Sequence, residues 1–161
     1  MNKLIADIKS KYPKLKFKKS NSFYWSPATK EIFYDQDASG KLNEWSLLHE
    51  TGHALLDHKH YDADFVLIKL EVQAWQKAKE VASSLGIDID DDHIQDCLDT
   101  YRDWLYKRSV CPKCSNKSLQ EGDFRHYRCF NCHMRWRVSN SRFCRTYRMS
   151  DETAINQRVF V

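Results

Sequence analysis

The sequence predicts an α+β fold followed by a small β module that is held together by a metal ion. Four stretches repeat apolar residues with helical period, three short aromatic-rich stretches read as strands, and two close pairs of cysteines follow. A chain of 161 residues suits one ordinary domain with an appendage. We therefore expect a domain over residues 1–108, the β module over residues 109–149 and a tail over residues 150–161.

The four helices are predicted from apolar spacing and from their end residues. The first, NKLIADIKSK, stops near Pro13, and the second is LNEWSLLHETGHALLDH. The third, DADFVLIKLEVQAWQKAKEVASSL, is expected to end at Gly86. The fourth, DDDHIQDCLDTYRDWLYKR, begins acidic and ends basic, as the helix dipole favours.

Three aromatic-rich segments, LKFKKS, SFYWS and EIFYD, separate the first helix from the second. They are joined by SNS and SPATK, which have the composition of turns. We expect them to form a small three-stranded antiparallel sheet. The second helix, which contains the HExxH sequence HETGH, and the other helices are expected to pack on this sheet.

Charge and apolar content narrow the functional class. Residues 1–108 carry a net charge of −2, whereas residues 109–161 carry +6, which indicates two modules, the second with an acidic partner. No stretch reaches the roughly 18 apolar residues that a membrane span needs. The N-terminus also lacks the apolar core of a secretory signal, so a cytoplasmic location is expected. Six cysteines in a reducing compartment point to metal binding or catalysis.

The second helix contains the motif His49-Glu50-Thr51-Gly52-His53. Residues four apart lie on one face of a helix, so both imidazoles can reach the same ion. By composition alone, such a motif arises in a chain like this with a probability on the order of one in a hundred. A pair of histidines in register, with a glutamate beside the first, favours a zinc site over buried core histidines.

The third helix offers a third ligand in Glu71, which lies in the middle of an apolar stripe. The stripe comprises Leu67, Ala74, Trp75, Ala78, Ala82 and Leu85. A buried carboxylate is costly unless it is paired or binds a metal. Two histidines and one glutamate form a common three-ligand set of catalytic zinc, with water in the fourth position.

The expected chemistry follows from this ligand set. Zinc lowers the pKa of bound water toward about 7, and Glu50 would act as the general base. Asp57 and Asp64 are candidate acceptors for the free N–H of a ligand histidine. His58 and His60 are interpreted as solvated residues at the end of the helix.

The stretches HETGHALL and EVQAW resemble the ImmA/IrrE-type metallopeptidases, a gluzincin-like family, over roughly residues 15–85. The resemblance implies a cytosolic zinc metalloendopeptidase in which His49, His53 and Glu71 bind zinc and Glu50 is the base. It also implies limited proteolysis of a DNA-binding regulator, such as a helix-turn-helix repressor. SprT-like proteases, which act on DNA-bound proteins, are an alternative. They take a histidine as third ligand, and none occurs between His60 and His93.

The sequences CPKC and CFNC place four cysteines in two pairs with the spacing of a structural zinc site: Cys111, Cys114, Cys129 and Cys132. The segments FRHYRCF and MRWRVS alternate like strands, so a β zinc ribbon is expected. Together with the first site, the chain would hold two zinc ions. A C-terminal ribbon of this kind is similar to the CapP-like branch of the family.

The ribbon is rich in arginines with interleaved aromatics, a pattern that suits single-stranded nucleic acid. The candidate nucleic-acid-binding residues are Arg125, Arg128, Arg135, Arg137, Arg142 and Arg145. A basic solubilising face, or a dock for the acidic first module, explains the same pattern. A nucleic-acid-binding adaptor without proteolytic activity is therefore an alternative function.

Two cysteines lie outside the predicted zinc ligands. Cys97 falls on the apolar face of the fourth helix and is expected to be a small core residue. Cys144 lies between Arg142 and Arg145, which favour the thiolate. We consider it a candidate inhibitory ligand of the catalytic zinc.

Overall fold

The computed structural model describes residues 1–138 and the backbone of residues 148–150. Its four helices and its small sheets confirm the α+β class. Residues 139–147 of the predicted ribbon and residues 151–161 of the predicted tail lie outside the described residues. Among the helices that the structure describes, none has the length and apolar character needed to cross a bilayer.

All four helices occur where the apolar periodicity predicts them. They are α1 (Asn2–Lys11), α2 (Lys41–Leu55), α3 (Asp64–Ser84) and α4 (Asp91–Ser109). The strands are β1 (Phe17–Ser20), β2 (Tyr24–Ser26), β3 (Glu31–Asp35), β4 (Leu119–Gln120), β5 (His126–Arg128), β6 (Arg135–Val138) and β7 (Arg148–Ser150). The strands β4 and β7 are not among the elements that the sequence predicts.

The chain divides into two compact units. The first comprises Met1–Tyr61 and Leu67–Leu98, and the second comprises Asp62–Val66 and the residues from Asp99 onward. The division falls within α3 and within α4, so each of these helices contributes residues to both units.

The sheet of the first unit has the strand order β1-β3-β2 and is mixed, not antiparallel throughout as the sequence led us to expect. Strands β2 and β3 form the expected antiparallel hairpin. Strand β3 then lies between β2 and β1 and runs parallel to β1, with Phe17 opposite Ile32. The pair is parallel because the chain reverses direction twice between β1 and β3, and β2 occupies the outer edge.

The core of the first unit forms between one face of this sheet and the helices. Alternate residues of β3, Ile32 and Tyr34, are buried, as expected for a half-buried strand. The helices contribute apolar side chains to the same cluster, among them Ile8, Leu47, Leu48, Trp75, Val81 and Leu98. Each fully buried aliphatic side chain contributes roughly 1.5–3 kcal/mol, so this packing holds α2 and α3 in register.

The second unit contains an antiparallel sheet of order β4-β5-β6-β7 and a buried polar cluster around Asp64. Arg108 Nε donates to Asp64 Oδ2 at 2.6 Å, and the Tyr127 hydroxyl donates to the same oxygen at 2.5 Å. Burial, followed by the hydrogen bond to Asp64, raises the pKa of Tyr127. The Trp136 indole N–H donates to the Arg108 carbonyl at 3.2 Å. Asp64 therefore has a structural role, and its predicted contact with a ligand histidine is wrong.

Candidate metal centres

The structure brings His49 and His53 of α2 together with Glu71 of α3. The His49 Nε2 atom lies 3.1 Å from Glu71 Oε2 and 3.1 Å from His53 Nε2. The third side of this triangle, from His53 Nε2 to Glu71 Oε2, measures 3.6 Å. The three side chains are buried, with exposed fractions of 8–12%.

These separations fit a small cation at the centre of the triangle. Nitrogen and oxygen ligands about 2.0–2.1 Å from a tetrahedral zinc ion lie about 3.3–3.4 Å from one another. His49 Nε2 has short contacts with both Glu71 and His53. A single proton on this nitrogen points toward one acceptor at a time, so one hydrogen bond does not account for both contacts. A cation instead takes one lone pair from each of the three atoms. The donor set therefore fits a metal ion better than a hydrogen-bonded cluster.

The electrostatics of Glu71 favour its charged form. Burial alone would raise the pKa of Glu71, but the hydrogen bonds and charge interactions with His49 and His53 together lower it below its usual range. A buried carboxylate that stays ionised needs positive charge next to it. A cation held by the two imidazoles would supply that charge.

Trp75, one turn after Glu71 on α3, fixes the orientation of the first histidine. Its ring stacks on the His49 imidazole with a centroid separation of 4.2 Å and an interplanar angle of 28°. The other ring nitrogen, His49 Nδ1, is buried and has no hydrogen-bond partner among the described residues. Aromatic stacking therefore takes the place that a polar acceptor usually fills behind a metal-bound histidine.

Gly52, inside the motif, lets α2 and α3 approach closely enough for the ligands to meet. A Cβ atom built at Gly52 would lie 2.3 Å from the Ala74 carbonyl oxygen on α3. Real Cβ atoms do not come so close to backbone, so any side chain here forces the two helices apart. Since His53 follows Gly52 directly and Glu71 lies on α3, the same contact sets the size of the ligand triangle.

We expect Gly52→Ala to destabilise the protein and to weaken metal binding, although alanine is the better helix former by about 1 kcal/mol. Overpacking typically costs about 1–3 kcal/mol, and a clash with backbone lies in the upper part of that range. After the gain in helix propensity, the net loss measured by urea unfolding should be on the order of 1–2 kcal/mol. Gly122→Ala is the control, because nothing lies within 4 Å of a Cβ there. Equal stability and metal affinity for Gly52→Ala and the wild type would contradict the close-approach argument.

Glu50 is held by the edge strand of the sheet. The Trp25 backbone N–H donates to Glu50 Oε2 at 2.7 Å. The strand β2 lies at an edge of the sheet, and Trp25 lies opposite Ile32. The Ile32 amide donates to Lys16 on the far side of β3, so Trp25 and Ile32 do not exchange hydrogen bonds. The amide of Trp25 therefore points away from the sheet, and the carboxylate next to His49 has a fixed position.

His58 is buried and contacts the second histidine of the motif, so its interpretation as a solvated residue is wrong. The His58 Nδ1 atom lies 2.9 Å from His53 Nδ1, and 8% of the residue is exposed. Burial, followed by the nearby His53, lowers the pKa of His58.

Asp57 is exposed and forms ion pairs with lysines instead, so it is not the acceptor for a ligand histidine. The chain turns back after α2 through Asp57, which has a φ of 49°, a turn that apolar periodicity does not reveal.

The four predicted cysteines of the second unit converge as a second candidate metal centre. The Sγ atoms of Cys111 and Cys132 are 3.5 Å apart, and those of Cys114 and Cys129 are 3.4 Å apart. All four sulfurs lie within 4.8 Å of one another. Thiolates about 2.3 Å from a tetrahedral zinc ion are separated by about 3.8 Å, so this group also fits a metal ion.

The two cysteine loops have the same backbone geometry. In each loop a backbone hydrogen bond joins the first cysteine to the residue four positions later. The Ser115 amide donates to the Cys111 carbonyl, and the His133 amide donates to the Cys129 carbonyl, each at 3.0 Å. Both donor residues also have a positive φ, 61° for Ser115 and 58° for His133. This repeat orients the two pairs of sulfurs toward a common centre.

Backbone amides favour thiolate within this group. The amide of Cys132 contributes most to lowering the pKa of Cys129, to about 6. The amide of Asn116 likewise lowers the pKa of Cys114. At Cys132 the amide of Met134 also favours thiolate, but burial and the neighbouring thiols outweigh it and raise the pKa of that side chain to about 12. These four thiols are too close together for all of them to lose their protons without a metal. A divalent cation bound to them would stabilise the four thiolates.

The predicted nucleic-acid-binding arginines are only partly available. Arg128 and Arg135 both form ion pairs with Glu121 at 2.6 Å, and the hydrogen bonds from these arginines lower the pKa of Glu121. Arg125 and Arg137 are exposed, whereas Arg142 and Arg145 lie outside the described residues.

Of the aromatic residues at 109–138 of the second unit, Tyr127 and Trp136 lie in its core, whereas Phe124 and Phe130 do not. Tyr127 and Trp136 stack with centroids 5.6 Å apart and are 1% and 0% exposed, so bases cannot stack on them. Phe124 and Phe130 are exposed, at 47% and 71%.

The remaining cysteine predictions have different outcomes. Cys97 is half-buried and packs against the core of the first unit, as expected. Its Sγ lies 3.6 Å from His93 Nε2, and burial contributes most to raising the pKa of Cys97. Cys144 lies outside the described residues.

No protein-family model matches the chain, and neither a curated protein nor a solved structure shows significant similarity to it.

Proposed function

We propose that this chain is a zinc metalloendopeptidase in which His49, His53 and Glu71 hold the catalytic ion and Glu50 is the general base. The observation that carries the proposal is the convergence of three ligand atoms at 3.1–3.6 Å from two different helices. A structural metal site has no use for an acid next to its ligands, whereas a hydrolytic site needs a base there.

The residues divide the chemistry among them. A zinc ion in this site supplies Lewis acidity, which lowers the pKa of water toward about 7 and polarises a carbonyl. Three protein ligands leave one coordination position for water or substrate. Glu50 accepts the proton of the attacking water and later donates it to the leaving amine. The hydrogen bond from Trp25 to Glu50 holds the carboxylate in place between these two transfers.

The edge strand β2 supports a peptide as substrate. An extended chain can pair with a strand edge through backbone hydrogen bonds. On the outer edge of β2 the Trp25 amide already binds Glu50, so an incoming chain would bind the Trp25 carbonyl beside the helix that carries the motif. The resemblance of HETGHALL and EVQAW to ImmA/IrrE-type metallopeptidases points to limited proteolysis of one protein. On that resemblance, the substrate would be a DNA-binding transcriptional regulator such as a helix-turn-helix repressor.

We further propose that Cys111, Cys114, Cys129 and Cys132 bind a second, structural zinc ion and form a zinc ribbon. Four sulfurs close the coordination sphere, so this ion would have no open position for substrate. The ribbon would contact nucleic acid or a protein partner through its exposed basic side chains, and a C-terminal ribbon is the feature in which the chain resembles the CapP-like branch.

A second candidate is a nucleic-acid-binding adaptor without proteolytic activity. The observation that favours it is the exposure of Arg125 and Arg137 on the ribbon. The pairing of Arg128 and Arg135 with Glu121 weakens it, because those guanidinium groups are already neutralised.

Metal content tests the first site. We expect two zinc ions per wild-type chain by mass spectrometry of the native protein, and one per chain in His49→Ala with its circular dichroism unchanged. His60→Ala is the control and should keep both ions, since His60 is exposed. One ion in both proteins, or two in His49→Ala, would reject this site as a metal centre.

A further inference from the structure

His58 is a buried imidazole directly behind one of the candidate metal ligands. Its Nδ1 atom contacts His53 Nδ1 at 2.9 Å, on the side of that ring opposite to the ligand triangle. Its own amide donates to the His53 carbonyl at 3.1 Å. The contact is therefore fixed by backbone as well as by side chain.

The proton in this contact has a determined place. If His53 Nε2 gives its lone pair to a metal ion, His53 Nδ1 must carry the ring proton and donate it. His58 Nδ1 must then accept, which requires the neutral ring with its proton on Nε2. Without this acceptor, a buried N–H would lose its only polar partner in the described structure, as already holds for Nδ1 of His49.

Trp25 ties this histidine to the proposed catalytic base. Its indole N–H donates to the His58 carbonyl at 2.9 Å, while its backbone N–H donates to Glu50 at 2.7 Å. One residue of the edge strand thus positions both the carboxylate and the imidazole behind His53.

We propose that His58 is a positioning residue of the metal centre, whose Nδ1 accepts the His53 Nδ1 proton and thereby presents His53 Nε2 to the ion. A neutral imidazole would replace the carboxylate or carbonyl that usually takes this role. The inference rests on the proposed metal site at His49, His53 and Glu71.

The test compares variants that keep or lose an acceptor at the position of Nδ1. The Asn side chain places an amide atom three bonds from Cα, as histidine places Nδ1, whereas Gln places it four bonds away. His58→Asn should therefore retain the acceptor, and His58→Ala and His58→Gln should lose it. His60→Ala is the matched exposed control.

The readout is the affinity of the first site for Co²⁺ in the full chain. The cysteine group is first loaded with one equivalent of Zn²⁺, which thiolates prefer. Co²⁺ bound by nitrogen and oxygen is then followed by its visible absorption under competition with a chelator. We expect affinity to fall 10–100-fold in His58→Ala and His58→Gln and to stay within about threefold of wild type in His58→Asn.

Two results would overturn the positioning role alone: wild-type affinity in His58→Ala, or His58→Asn binding as weakly as His58→Ala. If the wild type itself bound no Co²⁺ outside the cysteine group, the proposed function would fail together with this inference. The failure of the positioning role and the failure of the metal site are therefore distinguishable in one titration series.

Discussion

Glu50→Gln should lower proteolysis by a factor of about 10²–10⁴, the usual contribution of a general base. The amide has nearly the same shape as the carboxylate and can still accept the hydrogen bond from the Trp25 amide. It cannot take a proton from water at neutral pH. We therefore expect an inactive protein that keeps its fold and both zinc ions.

The measurement compares protein N-termini in cells that make the wild type with those in cells that make Glu50→Gln. New N-termini that depend on the wild type would identify the substrate and the cleaved bond together. Glu44→Gln is a suitable control, because Glu44 lies on the same helix but outside the ligand triangle. The same N-termini in both kinds of cell would argue for the adaptor function instead.

Removal of the metal from the cysteine group should unfold the β ribbon while the first unit stays folded. The apolar cluster around the sulfurs is small: besides the cysteines, the described part of the chain contributes three buried members to it, Tyr127, Trp136 and Val138. In small zinc domains the metal contributes roughly 10–16 kcal/mol of apparent binding free energy. A cluster of this size offers no comparable replacement.

The variant Cys129→Ser tests this expectation, because Cys129 is fully buried among the sulfurs. Hydrogen exchange followed by mass spectrometry should show lost protection in β4, β5 and β6 and unchanged protection in α2. Cys97→Ser is the control, since Cys97 belongs to none of the groups whose ligand atoms converge. A ribbon that retains its protection in Cys129→Ser and in the chelator-treated wild type would contradict a structural role for the metal.

Some features of this fold depend on residues close together in the sequence, and others depend on contacts between distant residues. The periodic spacing of apolar residues predicted all four helices, because each turn of a helix depends only on residues three or four apart. The position of Glu71 near His49 and His53 could also be predicted from the sequence. Burying a carboxylate within an apolar stripe costs free energy unless another group pairs with it. The cysteine spacing likewise anticipated the convergence of the four sulfurs.

The errors concern contacts that local pattern does not encode. The parallel pairing of β1 with β3 depends on which strand occupies the middle of the sheet. Asp64 seemed available to a histidine, but it is paired with Arg108, a residue 44 positions away. His58 looked like a solvated residue after the helix, but the turn at Asp57 directs it back toward His53.

The sequence by itself determined the helices, the two ligand motifs and the types of chemistry that they can support. These properties follow from spacing along the chain and from the donor atoms of His, Glu and Cys. Only the tertiary structure decided which side chain lies behind His53, how closely α2 approaches α3 at Gly52, and which arginines of the second unit are already paired. The physical reason is that these contacts join distant segments, and packing of the whole core sets their geometry.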